Sequence, residues 1–196
     1  CFWAARGRAV VDFSLRRTHG VDAGMKAARS SYMVGFQSTS NVLAGKAYGI
    51  PVTGTMAHSY VTSFEREIES FRAFARSFPE TTVLLLDTYD TVSAANKAAV
   101  VAHEMEDKGH RLRGVRLDSG DLIGLSRRVR QTLDKAGLDY VLILASGGLD
   151  EFEVERLVQA GASIDGFGVG TRMGVSADAP WLEMAYKLVR YAGRPV

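Results

Sequence analysis

Two apolar runs end in acid-rich turns, TVLLLDTYDT at residues 82–91 and GVRLDSGD at residues 114–121. Each run has a carboxylate directly at its end, Asp87 and Asp118, with a second, Asp90 and Asp121, close behind. Such aspartates can cap the helices that follow, Asp121 above all. Two strand-end carboxylates on one face also suit Mg²⁺, which keeps waters and bridges to substrate phosphates, and they can equally hold sugar hydroxyls. A lone histidine, His58, sits in GTMAHSYV at residues 54–61. It is open to four roles: packed side chain, metal ligand, general base or nucleophile. Thr55 and Ser59 flank it as orienting partners. Arg16 and Arg17 end another run, and a guanidinium fork matches a carboxylate or phosphate.

Two glycine-rich turns, SGG at residues 146–148 and GVGT at 168–171, close the series. Glycine lets backbone N–H groups approach a ligand, and helix N-termini attract anions, so these turns suit a phosphate as well as a tight bend. His103 falls on a helical pattern and His110 in a turn, both as structural or surface residues; His19 has no assigned role. The chain has no HExxH, no CxxC and no clustered His or Cys, which argues against a protein-held zinc site. Neither a GxSxG elbow nor a GxxxxGK[ST] loop is present.

The elements that position these residues alternate. Strand-like runs lie at residues 9–13, 32–36, 50–53, 82–86, 114–117, 141–145 and 166–169. Helical stripes lie between them: Val61, Phe64, Ile68, Phe71, Ala75 and Phe78; then Ala95, Ala98, Ala102 and Met105; then Leu122, Leu125, Val129 and Leu133. Pro79 and the glycines at 109, 137 and 161 mark helix ends. Strand and helix in alternation imply parallel strands with crossover helices. With seven strands and no GxGxxG turn after the first, the expected fold is α/β, an irregular and nearly closed parallel β/α barrel, over an open doubly wound sheet. A barrel gathers the carboxyl ends of its strands, where the polar turns fall, on one active face.

The composition excludes little else. The 196 residues are 46% hydrophobic and 23% charged, and the net charge of +2 argues for neither nucleic acid nor an acidic membrane surface. No apolar stretch approaches the roughly 20 residues of a membrane span. A single cysteine, Cys1, allows no internal disulfide and suits a reducing compartment. Both ends read as cut from a longer chain. Residues 1–180 are expected to form the catalytic barrel, and 181–196 to begin a strand leading into a missing C-terminal region.

The series DFSLRR, GFQSTSN, GTMAHS, LLDTYDT, RLDSGD, ASGGLDE and FGVGT resembles the nicotinate phosphoribosyltransferase family from about Asp12 to Tyr191. The resemblance implies a type II phosphoribosyltransferase that joins nicotinate to phosphoribosyl pyrophosphate (PRPP), giving nicotinate mononucleotide and pyrophosphate for NAD salvage. It implies ATP hydrolysis coupled through a phosphorylated His58, with Mg²⁺ at Asp87 and Asp118 through water. Arg116 would lie near the phosphates, Phe13 and Arg16 at the pyridine ring and its carboxylate, and Thr39 and Ser40 beside them. Asp87 and Ser119 would serve the ribose. Gly147, Gly148, Gly168, Gly170 and Thr171 would cradle the 5′-phosphate. The implied protein is a cytoplasmic homodimer acting on small molecules. A nicotinamide or quinolinate enzyme of the same type and a truncated, non-catalytic barrel are the alternatives.

Ser40 separates acid from amide substrate. The related nicotinamide enzyme carries an aspartate at the matching position. An aspartate accepts from an amide NH₂ but repels a carboxylate, by about 1 kcal/mol in water and ~4 kcal/mol at an effective dielectric of about 20 for charges about 4 Å apart. Serine donates to the carboxylate instead. Ser40→Asp in the complete enzyme is therefore expected to move the ratio of kcat/KM for nicotinate over nicotinamide toward the amide by about fivefold or more. An unchanged ratio contradicts this account of selectivity.

Overall fold

The computed structural model describes residues 1–176 and 189–195. In chain order the elements are β1 (Ala9–Asp12), a 3₁₀ turn (Leu15–Arg17), α1 (Val21–Met33), β2 (Ser38–Thr39), α2 (Val42–Tyr48), α3 (His58–Thr62), α4 (Glu67–Ser77), β3 (Val83–Leu85) and α5 (Thr91–Glu106). There follow β4 (Gly114–Leu117), α6 (Leu122–Lys135), β5 (Leu142–Ala145), α7 (Glu151–Gln159), β6 (Gly166–Val169), α8 (Thr171–Gly174), β7 (Arg190–Tyr191) and β8 (Arg194–Pro195). The six strands β1 to β6 form one sheet in the order β2-β1-β6-β5-β4-β3. Every register given for it is parallel, and helices connect the strands. This is the expected irregular α/β barrel class. No helix among the described residues is long and apolar enough to cross a membrane.

Two compact units divide the chain, one holding it up to Gly54 and again from Leu144, the other running from Thr55 to Ile143. In the first, β1 lies between β2 and β6, with Asp12 opposite both Thr39 and Val169. Its core is Val10, Ala28, Phe36, Ala44, Phe167, Val169, Val154 and Leu157. In the second, β3 pairs with β4, Leu85 opposite Arg116. Leu84, Leu85 and Leu86 are fully buried, as a strand covered on both faces requires. The expected stripes of α5 and α6 face inward through Ala95, Ala98, Ala102 and Met105, and through Leu122, Val129 and Leu133.

Several expected boundaries shift. Residues 32–36 are not a strand: α1 continues to Met33, and a turn at Gly35, with φ of +109°, ends it. The strand is instead the pair Ser38–Thr39, held by Gln37 N–H to the Val10 carbonyl and Ser40 N–H to the Asp12 carbonyl. At 50–53 only a single bridge forms, Thr39 to Val52, because Pro51 has no N–H to continue a ladder. The stripe from 59 to 78 breaks into α3 and α4, the Ser63 hydroxyl bonding the Tyr60 carbonyl at the break. Gly109, Gly137 and Gly161 end helices with φ of +78°, +72° and +64°, as expected. The expected domain boundary at residue 180 lies outside the described residues. Beyond it β7 and β8 form an antiparallel hairpin.

Close strand approach in the second unit depends on Gly114, where an added Cβ would stand 2.8 Å from the Leu142 carbonyl oxygen. Gly114→Ala must push backbone apart rather than a side-chain end. It is expected to destabilise the fold by about 1–3 kcal/mol, read as a lower midpoint in urea unfolding.

Candidate functional site

The second unit builds a polar cluster at the ends of β3 and β4. Leu86 N–H donates to the Arg116 carbonyl at 3.0 Å, so the two chains leave the sheet side by side. Asp87 Oδ2 then accepts from Asp118 N–H at 3.1 Å and from the Ser119 hydroxyl at 2.5 Å. Asp87 Oδ1 is buried and has no partner among the described residues. The Arg116 side chain, 14% exposed, donates through Nη1 to the Thr55 hydroxyl oxygen and reaches Asp118 Oδ1 at 3.9 Å through Nη2.

His58 is the first residue of α3. Its Nε2 lies 3.6 Å from Asp118 Oδ2, its Nδ1 lies 3.1 Å from the Thr88 hydroxyl, and the side chain is 44% exposed. Asp118 thus stands between a guanidinium and an imidazole, one carboxylate oxygen toward each. Its position beside Nε2 favours the tautomer with the proton there. The Nδ1 lone pair then accepts from Thr88 and stays open to an electrophile.

The expected orienting partners of His58 are replaced. Thr55 serves Arg116, and the Ser59 carbonyl accepts from Thr62. Side chains adjacent on a helix do not face one another, so the partner of His58 comes from the turn after β3. Capping is also redistributed. Asp90 caps α5 by accepting from Ser93 N–H at 2.7 Å, whereas Asp121 makes no side-chain cap bond. Among the described residues no group of three or more His, Cys, Asp or Glu is placed to hold a metal. Asp87 and Asp118 with the unused Asp87 oxygen therefore fit a cation that takes its other ligands from water and substrate, as Mg²⁺ does. His103 and His110 pair with Glu106 and Glu80 at the surface, and His19 is exposed.

The first unit brings together the turns after β1, β2, β5 and β6. Phe13 N–H donates to the Val169 carbonyl at 2.7 Å, and its ring lies against Gly168, where a Cβ would come within 2.5 Å of it. A Cβ at Gly170 would meet the Phe13 carbonyl at 2.9 Å. Both glycines therefore have a packing reason to be small. Gly147 and Gly148 turn with φ of +91° and +66°, and the space around Gly148 is open. Thr171 opens α8, and Arg16 is exposed on the 3₁₀ turn. Ser40 is not the cap of α2: that is Asn41, whose Oδ1 accepts from Ala44 N–H at 3.0 Å. Thr39 is fully buried and gives its hydroxyl to Asp12 Oδ2 at 2.7 Å.

Two glycine-bearing turns are tied by a residue the sequence did not single out. Arg172 Nη1 donates to Asp150 Oδ2 at 2.8 Å, while Asp150 Oδ1 caps α7 by accepting from Glu153 N–H at 2.9 Å. The Glu153 backbone donor first, and Arg172 after it, hold the Asp150 carboxyl below the usual aspartate value.

Residues 8–191 match the model of the nicotinate phosphoribosyltransferase (NAPRTase) family. The chain is 54% identical over 190 residues to the Mycobacterium tuberculosis protein "Nicotinate phosphoribosyltransferase pncB2", covering 97% of this chain and 41% of that one. Among solved structures it is similar to a "nicotinate-nucleotide pyrophosphorylase from Pyrococcus furiosus", with a TM-score of 0.75 at 28% identity over 99% of this chain and 49% of that one. It is also similar to "human Nicotinic Acid Phosphoribosyltransferase", with a TM-score of 0.74 at 30% identity over 98% of this chain and 49% of that one. The chain spans about two fifths of the length of the curated relatives it matches.

Asp150 offers a direct check on the glycine turns. Asp150→Ala removes cap and ion pair together and is expected to cost about 1–2 kcal/mol, read in urea unfolding. Asp150→Asn keeps a good cap and should cost less. Because the folded carboxyl lies below the ordinary value of about 3.9, its contribution is whole above that pH and fades as pH falls through the lower folded value. The gap between wild type and Asp150→Asn should therefore narrow in acid.

Proposed function

Since this chain belongs to the nicotinate phosphoribosyltransferase family, we propose that the protein it forms part of joins nicotinate to PRPP, yielding nicotinate mononucleotide and pyrophosphate in NAD salvage. ATP hydrolysis is coupled to this reaction through His58. The observation that carries the reading is the set of contacts around Asp118, with His58 on one oxygen, Arg116 toward the other, and the adjoining Asp87 with one oxygen unengaged.

Substitution at the ribose C1 passes through an oxocarbenium-like state as pyrophosphate leaves. Positive charge grows on the sugar and negative charge on the leaving group, so positioned charges do most of the work. Arg116, fixed by Thr55, offsets the pyrophosphate charge. Asp87 and Ser119 hold ribose hydroxyls. Asp87 and Asp118 would hold Mg²⁺, which when bound adds positive charge at the phosphate oxygens. Phe13, Arg16 and Ser40 take the pyridine and its carboxylate, with Thr39 supporting Ser40 from below. Gly147, Gly148, Gly168, Gly170 and Thr171 take the 5′-phosphate.

In the coupled step the His58 Nδ1 lone pair forms a bond to the γ-phosphorus of ATP. The bond from that phosphorus to the β,γ-bridging oxygen breaks, and ADP leaves. Asp118 holds the Nε2 proton and stabilises the positive charge that develops on the ring. Phosphorylated His58 then carries negative charge toward the sugar and metal, which tightens PRPP binding until hydrolysis restores the imidazole. The complete protein acts as a homodimer in the cytoplasm, a reading that rests on the family resemblance.

Incubation of the complete enzyme with γ-labelled ATP should give an acid-labile, protein-bound label that disappears in His58→Ala. An active enzyme that takes up no such label contradicts the coupling through His58.

A further inference from the structure

Asp12 ends β1 as a carboxylate with 1% exposure. Both its oxygens have donors: Oδ1 accepts from Ser14 N–H at 2.8 Å and Oδ2 from the Thr39 hydroxyl at 2.7 Å. The Thr39 oxygen in turn accepts from Asn41 N–H at 3.0 Å. The Asp12 backbone carbonyl accepts from Ser40 N–H at 2.8 Å. These bonds run from the residue after Phe13 to the residues on both sides of Ser40.

Strand pairing does not explain the carboxylate. The register of Asp12 with Thr39 and Val169, and the bond from Ser40, use backbone alone, and any strand-forming residue would supply them. Burying a carboxylate is costly, and replacing buried charge with apolar packing is often neutral or stabilising. What only a carboxylate provides at this spot is two acceptors at fixed directions, one for the β1 turn and one for the β2 turn.

We propose that Asp12, acting through Thr39, is a positioning residue that fixes the spacing between Phe13 and Ser40 and so sets the fit of the aromatic acid substrate. This rests on the reading above that Phe13 and Ser40 contact nicotinate. Neither Asp12 nor Thr39 then touches substrate.

The test is steady-state kinetics of the complete enzyme with nicotinate and PRPP varied separately. Thr39→Val keeps the shape and removes the hydroxyl. It is expected to raise the KM for nicotinate about tenfold, in the range that small misplacement of binding groups produces, with the KM for PRPP changed by less than about twofold. Thr39→Ser, which keeps the hydroxyl, should restore the nicotinate KM. Asp12→Asn should act in the same direction, and combined with Thr39→Val it should add little, since both cut the same link. If Asp12→Asn fails to fold, the two Thr39 variants decide alone. An unchanged nicotinate KM in Thr39→Val, or an equal loss against both substrates that Thr39→Ser does not restore, overturns the proposal. A wild-type enzyme that does not turn over nicotinate overturns the proposed function and this inference together. Turnover by wild type with an unchanged KM in the variants overturns the inference alone.

Discussion

In the parallel pairing of β3 with β4, Leu85 lies opposite Arg116 and the Leu86 N–H bonds the Arg116 carbonyl. That register makes the two strands run out together, so Asp87 and Asp118 leave the sheet side by side. The Asp118 and Ser119 donors then meet one oxygen of Asp87. A one-residue slip would turn every side chain to the opposite face. The register is itself held by apolar burial at Leu84, Leu85, Val115 and Leu117. The reactive cluster therefore inherits its geometry from the core of the second unit, and His58 needs only a short helix to reach Asp118.

The first unit follows the same rule with different means. β1 is flanked by β2 and β6, and its last residue, Asp12, is opposite Thr39 and Val169. The turns after these strands are joined by side-chain bonds: Asp12 with Thr39, and Asp150 with Arg172. Glycine has a double use here. At 168 and 170 it admits Phe13 as well as leaving backbone near the proposed phosphate, so a methyl group at either position would disturb the aromatic ring or its carbonyl before any ligand arrived.

Much of this was legible from residue order, because parallel strands covered on both faces read as apolar runs and their polar turns mark one end of the sheet. TVLLL and GVRL became β3 and β4, and the acids behind them met as expected. YMVGF misled because an apolar run at the end of α1 looks like a strand. The helix stripe that would have exposed the error is made of the small residues Gly24, Ala28 and Ser31. The true strand, Ser38–Thr39, has two residues and no apolar signature. Thr88 as the partner of His58, and Asp12 as a buried anchor, were not readable. A hydroxyl in DTYDT looks like any turn residue, and an acid at the end of a strand looks the same whether it faces a substrate or the core.

The most direct measurement of the central claim is the product formed when the complete protein is given PRPP, ATP and equal concentrations of nicotinate, nicotinamide and quinolinate. The account predicts nicotinate mononucleotide and pyrophosphate as the main products, with ADP released alongside. A dominant nicotinamide or quinolinate product, or no mononucleotide from a folded protein, would contradict it.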